Sequence, residues 1–236
     1  MLTGGKRWAN NGQVPPVIRR LHLASLQGAD GRRWPVHGFV VTHDTGAVLV
    51  DTGVGGPQQA LDDWRVVNRS VADALAELDL SPADIGLVIN THLHFDHCGQ
   101  NAVFKHAPFY VQRAELERAR RESPQLHDWF DFAGARFELL DGDAEVLPGL
   151  AVIATPGHTA GHQCVLVRGD GEAFDVLIGD AAYTPRVYAD PGPLTSDRLP
   201  PGQASDLPAW QDSLRRIRSL GPDRVHFCHH TDVIHR

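Results

Sequence analysis

Apolar and β-branched residues gather in short runs from Val17 onward: Val17–Leu23, Val36–Thr42, Ala47–Val50, Ile85–Ile89, Phe109–Val111, Phe137–Leu140, Leu150–Ala154, Cys164–Val167, Val176–Ile178 and Arg224–Phe227. Short runs of this kind between turn signals predict strands. The punctuation is explicit in Gly28-Ala29-Asp30-Gly31, Asp44-Thr45-Gly46 and Gly169-Asp170-Gly171.

A helical period is interspersed. Val71, Leu75 and Leu78 share one helical face. Ala114–Arg121 reads as a solvated helix, with Glu117 four residues before Arg121. Leu207, Trp210, Leu214, Ile217 and Leu220 form an amphipathic stripe that stops at Gly221-Pro222. Helices follow groups of strands and do not alternate with them strictly. Layers of sheet covered by helices are therefore expected, and a doubly wound sheet is not.

Residues 1–16 are polar, end in Pro15-Pro16 and read as a loosely held arm, which leaves 17–236 as a single domain. The stretches 122–135 and 184–206, the second rich in proline, are long for plain connections. They read as lids and binding loops or as surface decoration.

Composition narrows the class. With 236 residues, 42% hydrophobic and 22% charged, the chain suits a soluble globular protein with a sizeable core. A formal net charge of -7 and a pI near 6.0 argue against a nucleic-acid partner. No apolar run is long enough to span a membrane, and Met1–Asn11 lacks the apolar stretch of a secretory signal. Cys98, Cys164 and Cys228 are an odd set without CxxC spacing, which suits a reducing cytoplasm better than a disulfide framework.

The chemistry concentrates in Thr91-His92-Leu93-His94-Phe95-Asp96-His97, directly after the run Ile85–Ile89. Side chains two apart in extended backbone share a face, so His92 and His94 can chelate one cation. The chain must then turn, and Asp96 and His97 can point at a second position. Neutral imidazole and carboxylate suit zinc and similar divalent metals. Three later positions also put a ligand-type residue just beyond a strand: His158 in Thr155-Pro156-Gly157-His158-Thr159, Asp180 after Val176–Ile178, and His229 after Arg224–Phe227. Ligands at several strand ends can converge on one sheet edge, where a carboxylate can bridge two cations.

The ordered set HLHFDH, PGHTAGH, GD and a late histidine resembles the metallo-β-lactamase superfamily, over roughly residues 36–230. Asp51-Thr52-Gly53 matches that family's Asp-Thr-Gly. The resemblance implies a four-layer αββα sandwich with a dinuclear metal site at one edge. It implies that His92, His94 and His158 hold one metal, that Asp96, His97 and the late histidine hold the other, and that Asp180 bridges them. The late ligand is His229 or His230; a small residue usually precedes it, and Cys228 in that slot favours His229. Asp51 is then expected to order the loop beneath the metals by hydrogen bonds. An aspartic-protease reading of Asp51-Thr52-Gly53 lacks a second such triplet. His162 and His226 read as structural or supporting.

Within that superfamily, HLHFDH, PGHTAGHQ and Asp180-Ala181-Ala182-Tyr183 resemble the N-acyl homoserine lactone lactonases, the quorum-quenching lactonases. Many zinc β-lactamases carry cysteine where this chain has Asp180. The likeness implies two divalent ions, Zn2+ first among them, and a hydrolase that opens the lactone ring through a hydroxide bridging the metals. Tyr183 would donate a hydrogen bond to the carbonyl, and Asp96 would carry the proton to the departing ring oxygen. The implied partner is a small-molecule lactone or ester whose apolar tail meets Trp64, Trp129, Phe130 or Phe132; a homodimer stays open. Hydrolases of the same fold acting on another lactone, an ester, a thioester or an organophosphate are the alternative. A diiron redox protein would need an attached flavin domain, and a nuclease a basic face. Relatives often continue Asp-His-x-Gly-Gly; here Gln100 stands at the last position, which bears on pocket shape.

Overall fold

The computed structural model describes residues 16–28, 31–44, 46–122, 127–189 and 202–236. Apart from Pro16, the expected N-terminal arm lies outside the described residues, and so do 123–126 and 190–201 of the two long stretches.

The strands form two mixed sheets. The first contains β1 (Val17–Gln27), β2 (Arg33–His43), β3 (Gly46–Val50), β4 (Val67–Asn68), β5 (Ile85–Ile89), β6 (Phe109–Gln112) and β7 (Phe137–Leu140), in the order β4-β1-β2-β3-β5-β6-β7. The second contains β8 (Ala144–Leu147), β9 (Leu150–Ala154), β10 (Gln163–Arg168), β11 (Phe174–Leu177), β12 (Arg224–His226) and β13 (Val233–His235), in the order β13-β12-β11-β10-β9-β8. In the first sheet β3, β5, β6 and β7 run parallel. In the second only the β11–β12 pair is parallel.

Side-chain parity explains the stacking. Phe39, Val41, Val48, Val50 and Ile89 of the first sheet meet Val152, Val165, Val167 and Leu177 of the second in one core. Their neighbours point the other way: Val40, Leu49 and Val88 pack with Val71 and Leu75, while Ile153, Cys164 and Val176 pack with Trp210, Leu214 and Ile217. Each central strand is thus apolar on both faces, because it is covered by a sheet on one side and a helix on the other. The result is four layers, helix–sheet–sheet–helix.

The helices are α1 (Gln58–Asp63), α2 (Val71–Ala76), α3 (Phe95–Cys98), α4 (Arg113–Glu122), α5 (His127–Phe130), α6 (Pro185–Ala189) and α7 (Leu207–Leu220). Asp206 caps α7 by accepting from the Ala209 amide at 3.1 Å, and Gly221 ends it at φ 67°. Every expected strand is present, together with the short β4, β8 and β13. The expectation of a solvated helix over Ala114–Arg121 is corrected: only the Ala114, Glu117 and Arg121 side of α4 is exposed, while Glu115, Leu116, Arg118 and Ala119 are buried. Two buried charges are tolerated on that face because Arg118 donates to Glu115 at 2.6 Å.

Strand direction decides where the chemistry gathers. β3 and β5 are parallel, β11 and β12 are parallel, and β9 runs in their sense across the antiparallel β10. The segments after these strands carry Asp51, His92, His94, His158, Asp180 and His229. The Gln163 amide donates to the Thr91 carbonyl at 2.9 Å and ties the two sheets together at that edge.

Candidate metal centre

Asp51 closes β3 in a left-handed conformation, φ 60°, which costs a non-glycine residue about 1–3 kcal/mol. Its buried carboxylate accepts from the Thr91 amide at 2.8 Å, the Thr91 hydroxyl at 2.7 Å and His97 Nδ1 at 2.8 Å. These bonds lock the turn after β5 and hold α3, which carries Asp96 and His97, against it.

Three imidazole nitrogens converge beside that turn. His92 Nε2 lies 3.0 Å from His94 Nδ1, and His158 Nε2 lies 3.1 Å from each of them. A second group joins His97 Nε2, the Asp96 carboxylate and His229 Nε2, at 3.7 Å from Asp96 to His97 and 3.6 Å from Asp96 to His229. Asp180 stands between the groups. Its Oδ2 is 3.3 Å from His158 Nε2 and 3.8 Å from His92 Nε2, whereas its Oδ1 is 3.3 Å from His97 Nε2 and 3.2 Å from His229 Nε2. His230 turns away and accepts from the Asp232 amide at 3.1 Å.

Hydrogen bonds at the far side of three of the rings fix their tautomers. His97 Nδ1 donates to Asp51, His158 Nδ1 to the Gln203 carbonyl at 3.2 Å, and His229 Nδ1 to the Pro35 carbonyl at 2.9 Å. Their Nε2 lone pairs are thereby aimed inward. His162 does a related job: its Nε2 accepts from the Asp180 amide at 2.9 Å, and its Nδ1 lies 2.8 Å from the Thr155 hydroxyl. His226 instead pairs with Asp175 at 3.1 Å, away from the cluster.

The electrostatics ask for positive charge. Burial, reinforced by neighbouring imidazoles, holds His92 and His94 well below the ordinary histidine range. Burial also opposes charge on His97 and His229, but Asp180 and Asp96 outweigh it and raise both. Burial would raise Asp180, yet His97, His229 and His158 pull its carboxyl well below the carboxylate norm. His97 Nε2 and Asp180 Oδ1 are buried with no hydrogen-bond partner. Inward lone pairs, carboxylates and these two orphaned atoms fit divalent cations. The 3.0–3.1 Å spacing of the three nitrogens also approaches the ~3.3 Å edge of a tetrahedron with zinc–nitrogen bonds of ~2.0 Å. Asp51, His97 Nδ1 and Cys228 also lie close together, but there Nδ1 donates to Asp51.

Sequence reasoning assigned no role to Glu115. Its Oε1 accepts from the Leu93 amide at 2.8 Å, and its Oε2 from the Thr159 hydroxyl at 2.6 Å and the Gly161 amide at 3.2 Å. One carboxylate therefore clamps the His92–His94 loop to the turn that carries His158. The glycines of Pro156-Gly157-His158-Thr159-Ala160-Gly161 serve the same packing: a Cβ at Gly157 would stand 2.2 Å from the Trp210 nitrogen, and one at Gly161 2.2 Å from the Glu115 nitrogen. The turn fits between the starts of α4 and α7 only without those side chains.

A cavity of about 560 Å³ opens over the cluster, lined by His94, Asp96, His158, Asp180, Tyr183 and His229 at its base and by Leu26, Trp34, Trp64 and Phe95 on its walls. Burial, then the charges of Asp180 and Asp96, raise the Tyr183 phenol well above its usual range, so it stays a proton donor. Of the four aromatics expected along an apolar channel, Trp64 lines this cavity. Phe130 is buried beneath α4, Phe132 packs against Phe109, and the Trp129 ring lies 3.5 Å from a Cβ placed on Gly56. Gln100 does not reshape the cavity: its side chain bonds the Val71 amide and the Arg69 carbonyl at the start of α2.

Comparison with known proteins identifies the family. The family model described as Metallo-beta-lactamase superfamily matches residues 31–229. The chain belongs to the metallo-beta-lactamase superfamily. Among members of the superfamily, it is 30% identical over 175 residues to an N-acyl homoserine lactonase of Bacillus cereus, covering 68% of this chain and 69% of that one. It is 32% identical over 203 residues to the N-acyl homoserine lactonase AttM of Agrobacterium fabrum, covering 74% of each. The fold matches an N-acyl homoserine lactone hydrolase solved with N-hexanoyl-L-homoserine at its catalytic metal center, with a TM-score of 0.72, 23% identity and coverage of 92% and 93%.

Proposed function

We propose that this superfamily member hydrolyses the lactone ring of N-acyl homoserine lactones with two divalent cations, preferentially zinc, and that residues 17–236 act as one hydrolase domain. The observation that carries the reading is the placement of Asp180, one oxygen toward His92 and His158 and the other toward His97 and His229, at the base of a largely apolar cavity. The relatives named as N-acyl homoserine lactonases support the substrate class.

His92, His94 and His158 would hold one cation and Asp96, His97 and His229 the other, with Asp180 shared. When bound, the pair supplies an acidified water and a Lewis acid for the ester carbonyl. The residues do the rest. Leu26, Trp34, Trp64 and Phe95 bind the acyl tail and exclude water from the carbonyl. The protonated Tyr183 hydroxyl donates to the carbonyl oxygen, where negative charge develops. Asp96, at the cavity base, takes a proton from the attacking water and delivers it to the ring oxygen as the acyl carbon–oxygen bond breaks. One free hydroxyl and one carboxylic acid result, and the acid gives up its proton to solvent as a carboxylate.

The described residues contain no helix long and apolar enough to cross a membrane. Burial pushes the thiols of Cys98, Cys164 and Cys228 up, and unpaired buried thiols suit the reducing cytoplasm we assign to this protein. Turnover of acyl homoserine lactones of graded tail length, beside aryl esters and glutathione thioesters, tests the substrate class. The lactones should give the highest kcat/KM; a higher value on an ester or thioester reassigns the enzyme within its superfamily.

A further inference from the structure

Gln203 is 1% exposed and touches three of the residues placed at the site. Its side-chain Nε2 donates to the Asp180 carbonyl at 2.6 Å, and its Oε1 accepts from the Tyr183 amide at 3.0 Å. Its backbone carbonyl accepts from His158 Nδ1 at 3.2 Å. The side-chain amide thus spans the turn Asp180–Tyr183 as a brace, bonded to both ends of it. Trp210 Nε1 supports the middle of the same turn by donating to the Ala181 carbonyl at 2.8 Å. The backbone before Gln203 runs beside the phenol, since a Cβ on Gly202 would sit 3.4 Å from the Tyr183 hydroxyl.

We infer that Gln203 is a positioning residue for the hydrolysis, holding the Asp180 carboxylate and the Tyr183 phenol in one register with His158. The inference rests on the hydrolase reading above. An amide suits the task because it donates at one end and accepts at the other. Leucine does neither. Glutamate can still accept from Tyr183 but sets an acceptor against the Asp180 carbonyl. The bond to His158 comes from the backbone, so side-chain changes act through Asp180 and Tyr183 alone.

The test uses Gln203→Leu and Gln203→Glu in the metal-loaded full chain, each alone and combined with Tyr183→Phe. Two readouts are taken: kcat/KM on an N-acyl homoserine lactone, and the rate of metal loss to a chelator, which needs no turnover. Gln203→Leu should lower kcat/KM about 10- to 100-fold and speed metal loss about tenfold. Gln203→Glu should speed metal loss at least as much, and it carries the test if the leucine variant does not fold. In the Tyr183→Phe background the same substitution should cost a smaller factor in kcat/KM, because part of its effect runs through the phenol. Losses that multiply independently, with metal loss unchanged, overturn the inference. A wild type without lactone turnover overturns the hydrolase reading instead, and metal loss then decides Gln203 by itself.

Discussion

Glu115 and Thr159 share a 2.6 Å hydrogen bond that joins helix α4 to the turn bearing His158. Because the same carboxylate also holds Leu93, between His92 and His94, it fixes that loop against the turn of His158. Glu115→Gln keeps the volume but turns an –NH2 toward a pair of donors. Chelator competition should show metal affinity reduced about 10- to 100-fold, and thermal unfolding a loss of about 1–3 kcal/mol. An unchanged affinity would mean that the loops hold their spacing without the clamp.

Asp51 is expected to act on the metals through His97. Asparagine tolerates the left-handed backbone at this position, so Asp51→Asn changes the chemistry and spares the turn. With one carboxylate oxygen lost, His97 Nδ1–H and the Thr91 donors compete for a single acceptor. Metal analysis should then show weakened binding at the Asp96–His97–His229 position, with stoichiometry drifting from two ions per chain toward one. Retention of both ions at wild-type affinity would remove Asp51 from the account.

Tyr183→Phe keeps the ring, and with it the edge contacts to Trp34 and His229 at 5.9 and 5.1 Å between ring centres. Only the hydroxyl is lost. Steady-state kinetics should show kcat/KM on lactones lowered about 10²-fold, with metal content unchanged. Kinetics equal to wild type would make Tyr183 a packing residue.

Buried His37 gives the fold a pH signature of its own. Burial, with Arg20 adding to it, lowers its pKa from 6.5 to about 4. Between those values the unfolded chain takes up a proton that the folded chain refuses, so His37 makes stability fall as pH drops through 6.5 and stop falling near 4. The slope from this one group reaches at most about 1.4 kcal/mol per pH unit. Denaturant unfolding across this range should be less pH-dependent in His37→Gln than in wild type; parallel curves would contradict the assignment.

The sequence made the sandwich legible where a strand is buried on both faces. Phe39–Val41, Leu150–Ala154 and Cys164–Val167 are continuous apolar runs for that reason, and all lie in strands. Four-residue strands such as Ala144–Leu147 and one-turn helices such as His127–Phe130 are too short to show a period. Within the site, His92, His94, Asp96 and His97 stand out because their spacing is local. Glu115 and Gln203 do not, since their partners in the loops of the site lie 22 to 46 and 20 to 45 residues away and no short pattern records them. The Glu117–Arg121 spacing marks the exposed side of α4 and says nothing of the buried pair Glu115 and Arg118 on the other.

The central claim is that two divalent ions shared by Asp180 drive lactone opening, and metal content measured on the same sample as lactone turnover tests it most directly. Purified protein should carry two ions per chain, lose turnover as a chelator removes them, and regain it when zinc is restored, whereas Asp180→Ala should lose metal and turnover together. Full turnover by exhaustively metal-stripped protein, or by Asp180→Ala, would contradict the claim.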